Sequence, residues 1–282
     1  MSNVTAADVK RLREQTGAGI LDCKKALEEC DGDFDSAVEA LRVKGVKDVG
    51  KRADRTAANG LVATVLDGTE SGLIFELNCE TDFVAKTELF QRLAADIASA
   101  ASVAKPADRL VLLSTETPSG RTVQQLIDDA GASLKEKLEL GRFARFDGGY
   151  IASYLHRSDL SLPPTLGVLV QLDSAGSGNT AEVAKDVAQQ IAAMRPQYVR
   201  REDVPADVIE RERRIAEQIT RDEGKPERII PKIVEGRLNG FYVGVVLAEQ
   251  KFVKDDKKTI KKLLDENGVT VRGFARFQVG QG

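Results

Sequence analysis

A carboxylate and an aromatic ring stand side by side in residues 78–86, whose sequence is NCETDFVAK. Asp82 supplies a negative charge that accepts hydrogen bonds, and Phe83 supplies an apolar surface that can fill a pocket of another protein. The apolar run 72–77 (GLIFEL) predicts a strand before them, and apolar residues at helical spacing in 87–101 predict a helix after them. The pair therefore lies on a strand-to-helix turn, from which side chains can be presented to a partner.

Two interpretations of this turn follow from the residues alone. In the first, the turn is an interaction site for another protein. In the second, Phe83 packs beneath its own helix, while Asp82 or Thr81 only satisfies the free backbone N–H groups of the first helical turn. The sequence leaves both interpretations open.

The chain carries no residue pattern that is typical of an enzyme site. It contains no Walker motif, dinucleotide-binding fingerprint, nucleophile triad or set of metal ligands. We therefore predict a protein that is not an enzyme and that uses neither a cofactor nor a metal. With 41 basic and 44 acidic residues the net charge is -3, which argues against direct binding of nucleic acid.

Composition also indicates a compartment. The sequence has no run of about 18 apolar residues that predicts a membrane span, and its first residues lack the apolar segment of a signal peptide. The three cysteines, Cys23, Cys30 and Cys79, form no CxxC pair and are typical of reduced thiols packed as small apolar side chains. We predict a cytoplasmic protein with no membrane partner.

Residues 1–45 predict a bundle of three short helices, and the polar segment 46–59 predicts a linker with some helical character. The turn at 16–19 (TGAG) follows a helix and lacks the GxxxxGK[ST] sequence of a phosphate-binding loop, so phosphate binding is not favoured. This turn places Ile20 and Leu21 at the start of the second helix. There they form either an exposed docking patch or part of the bundle core.

Residues 60–147 predict a first α+β unit. The segments 61–66 and 73–77 alternate or run apolar around a glycine-containing turn, which predicts a β-hairpin. The turn at 78–86 comes next, then helices of which the last covers 123–140, and finally a closing strand.

Residues 148–282 predict the same order of elements a second time, with helices at 180–194 and 259–267. The tetrapeptide Phe-Ala-Arg-Phe occurs in the closing strand of each unit, at 143–146 and 274–277, which indicates an internal duplication. We predict an α+β fold in which each sheet carries helices on one face. The second unit has the soft sequence DSAGSGN where the first has the acid–aromatic pair.

An insertion in the second unit, at about 205–240, predicts a helical hairpin. Its acidic and basic residues alternate, as on solvated helix faces. The hairpin either associates with another protein or packs on its own unit. An RNA- or ribosome-associated binding module is the alternative function for the chain, and binding through phosphates would weaken steeply with salt.

Two motifs resemble the signatures of bacterial elongation factor Ts, the guanine-nucleotide exchange factor of elongation factor Tu. They are TDFVAK at 81–86 and TGAGILDCKKAL at 16–27, and the similarity runs through most of the chain. The resemblance implies a ubiquitin-associated-like bundle at the N-terminus, followed by two repeated α+β subdomains with a helical-hairpin insertion.

The resemblance also implies a role for particular residues. It places four side chains near the Mg²⁺ of GDP-bound elongation factor Tu, namely Thr81, Asp82, Phe83 and Val84. Displacement of this ion releases GDP, so that GTP can bind. Those that it implies for docking on the same partner are Arg13, Ile20 and Leu21. It also places His156 near a second contact surface and makes the hairpin a candidate for self-association.

Overall fold

The computed structural model of the chain describes residues 4–16, 18–52, 54–159, 161–174 and 179–281. Three helices come first: α1 (Ala6–Thr16), α2 (Ile20–Glu29) and α3 (Phe34–Lys51). They enclose a small apolar core that includes Leu12 and Leu27. The bundle meets the rest of the chain where the guanidinium of Arg52 donates a 3.1 Å hydrogen bond to the carbonyl of Gly131.

The first α+β unit has one antiparallel sheet and four helices. Its elements in chain order are β1 (Asn59–Asp67), β2 (Ser71–Cys79), α4 (Asp82–Ala85), α5 (Glu88–Ala104), α6 (Arg109–Ser114), α7 (Val123–Leu134) and β3 (Leu138–Asp147). The sheet has the order β1-β2-β3. Its outer face is covered by α5 and α7, whose apolar sides are buried against β2.

The second unit repeats this plan and adds the insertion. Its elements are β4 (Tyr150–His156), β5 (Leu166–Ser174), α8 (Thr180–Met194), α9 (Ala206–Asp222), α10 (Ile230–Val245), β6 (Lys251–Phe252), β7 (Asp255–Thr259), α11 (Ile260–Asn267) and β8 (Val269–Gln278). The main sheet has the order β4-β5-β8, and α8 and α11 cover its outer face. The pair α9 and α10 forms a hairpin with its own apolar contacts.

Strand register supports the duplication at the level of single residues. In the first sheet Phe146 pairs with Gly72, and in the second Phe277 pairs with Gly167. Each middle strand also carries one register shift against its closing strand. The two Phe-Ala-Arg-Phe segments therefore occupy equivalent positions, and the predicted α+β class with three N-terminal helices is confirmed.

The inner faces of the two sheets pack against each other, an arrangement that the sequence did not predict. Val62 and Ile74 of the first sheet and Ile151 and Leu169 of the second are buried in this shared layer. Close approach depends on glycine, because a Cβ atom on Gly167 would lie 2.5 Å from Cγ1 of Val62. The order of layers is helix, sheet, sheet, helix.

One predicted helix end is wrong, because α7 ends at Leu134 instead of residue 140. Helix α3 continues to Lys51, within the segment expected to be a linker with some helical character. The cause at α7 is local, since Lys135 adopts a left-handed backbone conformation with φ 60° and the chain turns into β3. The sequence also did not predict α6 or the short β6–β7 ribbon.

Candidate partner-binding site

Residues Thr81–Val84, hereafter the TDFV turn, are held between two helix caps. The Thr81 hydroxyl accepts a hydrogen bond of 3.3 Å from the backbone N–H of Val84 and caps α4. Thr87 caps α5 in the same way, and its hydroxyl also donates to the Val84 carbonyl at 2.8 Å. The backbone of the turn is therefore tied at both ends, which reduces the entropy lost when it binds a partner.

The four side chains of the TDFV turn divide into an exposed pair and an anchoring pair. Phe83 is 78% exposed, so the interpretation in which it packs beneath its own helix is wrong. Val84 is 8% exposed and belongs to the apolar core of the first unit. Thr81 is half-buried and acts through its hydrogen bonds. Asp82 and Phe83 are thus the side chains that the turn presents to solvent.

Asp82 is paired with Lys86 one helical turn later. The Lys86 ammonium donates a 2.6 Å hydrogen bond to the Asp82 carboxylate, and both side chains are about half exposed. This hydrogen bond lowers the pKa of Asp82 below its usual range. The carboxylate is therefore ionised at neutral pH, and it is aimed along the helix by Lys86.

Glu136, in the connection between α7 and β3, holds the N-terminal side of the TDFV turn. One carboxylate oxygen accepts the Thr81 hydroxyl at 2.6 Å, and the other accepts the backbone N–H groups of Glu80 and Thr81 at 3.1 and 3.0 Å. Sequence analysis did not single out Glu136, because it lies 55 positions from Thr81. No local pattern connects the two.

The predicted docking residues belong to two successive helices of the N-terminal bundle. Leu21 is 81% exposed and Ile20 is 55% exposed, both in the first turn of α2. Arg13 is exposed in the last turn of α1. Of the two alternatives left open for Ile20 and Leu21, burial in the bundle core is wrong. An exposed apolar pair is a suitable surface for protein contact.

His156 ends β4, which is an edge strand of the second sheet. Its ring is exposed, and Nδ1 lies 3.1 Å from the hydroxyl of Tyr154. The structure therefore gives it one polar partner from its own strand and leaves the rest of the ring accessible. Residues 175–178, which hold most of the DSAGSGN segment expected to replace the TDFV turn in the second unit, lie outside the described residues.

Over the described ranges no group of three or more His, Cys, Asp or Glu side chains is placed to hold a metal ion. No helix in the same ranges combines the length and apolar character needed to span a bilayer.

Comparison with known proteins gives matches over the whole chain. The family model described as elongation factor TS matches residues 80–281, a range that includes the TDFV turn. The protein named elongation factor Ts from Thermobifida fusca is 62% identical over 281 residues, which cover 100% of both chains. Its namesakes from Acidothermus cellulolyticus and Streptomyces coelicolor are 57% and 54% identical, over 100% and 99% of this chain and 100% of each relative.

Proposed function

The chain belongs to the elongation factor Ts family of translation elongation factors, and on this premise we propose that it is the nucleotide exchange factor of elongation factor Tu. It binds the GDP-bound partner, displaces Mg²⁺, promotes release of GDP and leaves the site open to GTP. The observation that carries the proposal is the exposure of Phe83 on a turn whose backbone is fixed by two caps. An apolar ring held in this way is suited to insertion into another protein.

The chemistry of the partner explains why insertion releases nucleotide. A GTPase holds GDP through a phosphate-binding loop and through Mg²⁺, which compensates the charge of the phosphates. Phe83 enters between side chains of the partner and shifts the segment that holds the ion. Asp82 carries a negative charge into the same region, where it holds the displaced segment by hydrogen bonding or repels the phosphate charge. Loss of the cation then weakens GDP binding.

Phe83 supplies only part of the free energy for this change. A release rate about 1,000-fold faster requires about 4 kcal/mol of relative stabilisation in the transition state for release. Full burial of one aromatic side chain contributes roughly 1.5–3 kcal/mol. The remainder comes from the rest of the interface, in which Arg13, Ile20 and Leu21 dock the N-terminal bundle and His156 adds a second contact.

Thermodynamic linkage explains how the factor leaves its partner. A factor that weakens the binding of a nucleotide is itself bound less tightly when that nucleotide is present, by the same free energy. Incoming GTP therefore expels the factor from elongation factor Tu. Exchange changes only which molecules are bound, and no covalent bond is made or broken.

The test is the rate of GDP release from elongation factor Tu as a function of factor concentration, with wild type, Phe83→Ala and Asp82→Ala. We expect Phe83→Ala to lower the maximal rate by about tenfold or more, since up to roughly 2 kcal/mol of interface burial is lost. Its melting temperature stays close to that of wild type, because the ring is 78% exposed in the free protein. Asp82→Ala lowers the maximal rate as well.

Val103→Ala is the matched control, because Val103 is an apolar residue of the same unit and is 84% exposed. We expect it to leave release unchanged. Unchanged maximal rates for both Phe83→Ala and Asp82→Ala would refute insertion by the TDFV turn. No acceleration by the wild-type protein would refute exchange activity as a whole.

The helical hairpin is proposed as a site of self-association. Ile215 and Ile219 of α9 are exposed beside α10, and together with Phe241 they line a surface cavity of about 120 Å³. A second copy would remove these apolar surfaces from water. Sedimentation of wild type and Ile215→Glu tests this, since a dimer should dissociate in the variant; a monomeric wild type contradicts it.

A further inference from the structure

The Lys135–Lys137 segment connects α7 to β3, and reciprocal hydrogen bonds to two carboxylates join it to Glu80 and Thr81. The Glu136 carboxylate accepts three hydrogen bonds of 2.6 to 3.1 Å from Glu80 and Thr81. In return, the Glu80 carboxylate accepts the backbone N–H of Lys137 at 2.6 Å. Each segment therefore satisfies backbone donors of the other, so neither can shift without leaving polar groups unpaired.

The contacts of Glu80 extend this support to the start of β1. Its carboxylate also accepts from the guanidinium of Arg55 at 3.2 Å, and its carbonyl accepts the Asn59 side-chain amide at 2.8 Å. Hydrogen bonds to its carboxylate, above all from the Lys137 N–H, lower the pKa of Glu80. Hydrogen bonds from two other segments of the chain thereby favour the ionised form of Glu80, the residue before the TDFV turn.

The first unit has two more residues than the second between its last helix and its closing strand, namely Glu136 and Lys137. Helix α7 ends at a left-handed residue, Lys135, and α11 ends at a left-handed residue, Gly268. The next residue after Gly268 is Val269, which starts β8, whereas two residues separate Lys135 from Leu138, which starts β3.

Strand register confirms that this comparison uses equivalent positions. Leu138 pairs with Cys79 in the first sheet, and Val269 pairs with Ser174 in the second. Cys79 and Ser174 both lie seven residues after the equivalent glycines Gly72 and Gly167. The fold closes its second sheet without these two residues. A requirement of the repeated fold therefore does not explain them.

We propose that Glu136 is a positioning residue for nucleotide exchange, which fixes the TDFV turn in the orientation that inserts Phe83 into the partner. This inference rests on the proposed exchange function. Glu136 itself is half-buried behind the turn and acts through Thr81. Without its carboxylate, the N–H groups of Glu80 and Thr81 lose their acceptor, and the turn samples orientations in which Phe83 cannot enter.

The experiment measures GDP release from elongation factor Tu against factor concentration for wild type, Glu136→Ala, Glu136→Gln and Glu139→Ala. We expect Glu136→Ala to lower the maximal rate about tenfold, because three hydrogen bonds to Glu80 and Thr81 are lost. The half-saturating concentration stays within about twofold of wild type, since the docking patch on the bundle is intact. Glu136→Gln keeps an oxygen acceptor and restores most of the rate.

Glu139→Ala is the matched control, because Glu139 is a carboxylate of β3 near Glu136 that pairs with the Lys137 ammonium instead of the turn. We expect it to release GDP like wild type. A rate for Glu136→Ala equal to that of Glu139→Ala overturns the proposal, and so does a lower melting temperature with an unchanged maximal rate. Should Glu136→Ala fail to fold, Thr81→Val carries the same comparison, because it removes the hydroxyl that donates to Glu136.

A double-mutant cycle separates positioning from an independent contact. If Glu136 acts through the orientation of Phe83, the variant carrying both Phe83→Ala and Glu136→Ala releases GDP no more slowly than Phe83→Ala alone. Additive losses overturn the inference. Failure of the exchange function itself is distinguishable, since in that case wild type does not accelerate release and no variant differs from it.

Discussion

The ammonium of Lys86 donates a 2.6 Å hydrogen bond to the carboxylate of Asp82, and Phe83 follows Asp82 directly in the chain. The ion pair therefore fixes the direction of the charge beside the exposed ring. Since an exposed pair four residues apart contributes only about 0.3–0.5 kcal/mol, its importance is for orientation rather than for stability.

Replacing Lys86 by alanine should lower the maximal rate of GDP release by about threefold, because Asp82 loses the partner that orients it. The melting temperature should change by less than about 1 °C, as expected for an exposed pair. Lys105→Ala is the control, since it breaks an exposed ion pair with Asp67 in the same unit. Equal rates for Lys86→Ala and wild type would show that Asp82 needs no orientation.

Because Asp82 is ionised, the effect of its charge on the rate of GDP release should not depend on pH near neutrality. Its folded-state pKa is lowered, first by the hydrogen bond from Lys86. A depressed carboxyl pKa contributes stability that is present above the unfolded value and is lost as the pH falls through the folded value. The ratio of release rates for wild type and Asp82→Asn should therefore be constant from about pH 6 to 8. A ratio that falls toward pH 6 would contradict an ionised Asp82.

Leu21→Ala should mainly weaken association with elongation factor Tu, with a smaller effect on the maximal rate of release. Leu21 is 81% exposed in the free bundle, and truncation of an apolar residue in the centre of an interface costs about 1–2 kcal/mol, or about 5- to 30-fold in affinity. Val43→Ala removes an exposed apolar side chain of α3 in the same bundle and is the control. Titration of both variants against labelled elongation factor Tu distinguishes them. Equal affinities would exclude docking through α2.

Helices and strands whose apolar residues recur at a regular spacing were the most predictable from sequence. The strands around the first hairpin and helix α8 agree with their apolar patterns, because each buries one face in a local core. The repeated Phe-Ala-Arg-Phe tetrapeptide correctly indicated the duplication, since identical residues occupy identical register positions in β3 and β8.

Features that depend on distant contacts could not be predicted in the same way. Phe83 is exposed because α4 packs through Val84 and Ala85, and the proposed role of Glu136 depends on a hydrogen bond across 55 positions. The face-to-face contact of the sheets depends on Gly167, and a glycine in a strand pattern also indicates a bulge or a bend. Local sequence does not distinguish these possibilities.

Gly167→Ala should destabilise the protein, whereas Gly236→Ala should stabilise it. The new Cβ on Gly167 would lie 2.5 Å from Val62 between the sheets, and overpacking of this kind costs about 1–3 kcal/mol. A Cβ on Gly236, inside α10, meets no atom within 4 Å, and alanine in a helix interior is favoured by about 0.5–1 kcal/mol. The free energy of unfolding in urea measures both. A stable Gly167→Ala variant would show that the sheets can separate without cost.

The thiol of Cys79 should be inert in the folded protein although it lies two residues before Thr81. Burial, together with the nearby negative charge of Glu136, raises the pKa of Cys79 to about 12. At pH 8 the thiolate fraction is therefore about one part in ten thousand, and the side chain is closed to solvent. Iodoacetamide should modify the half-buried Cys30 well before Cys79, as measured by mass spectrometry of peptides.

The same shift predicts how stability depends on alkaline pH. A folded-state pKa above the unfolded value contributes stability that is fully present below the unfolded pKa and is lost as the pH rises toward the folded one. The free energy of unfolding should thus decrease from about pH 9 upward, and Cys79→Ser should show a smaller decrease than wild type. In denaturant all three cysteines should react at similar rates. Rapid native-state modification of Cys79 would mean that the end of β2 opens, and with it the support of the TDFV turn.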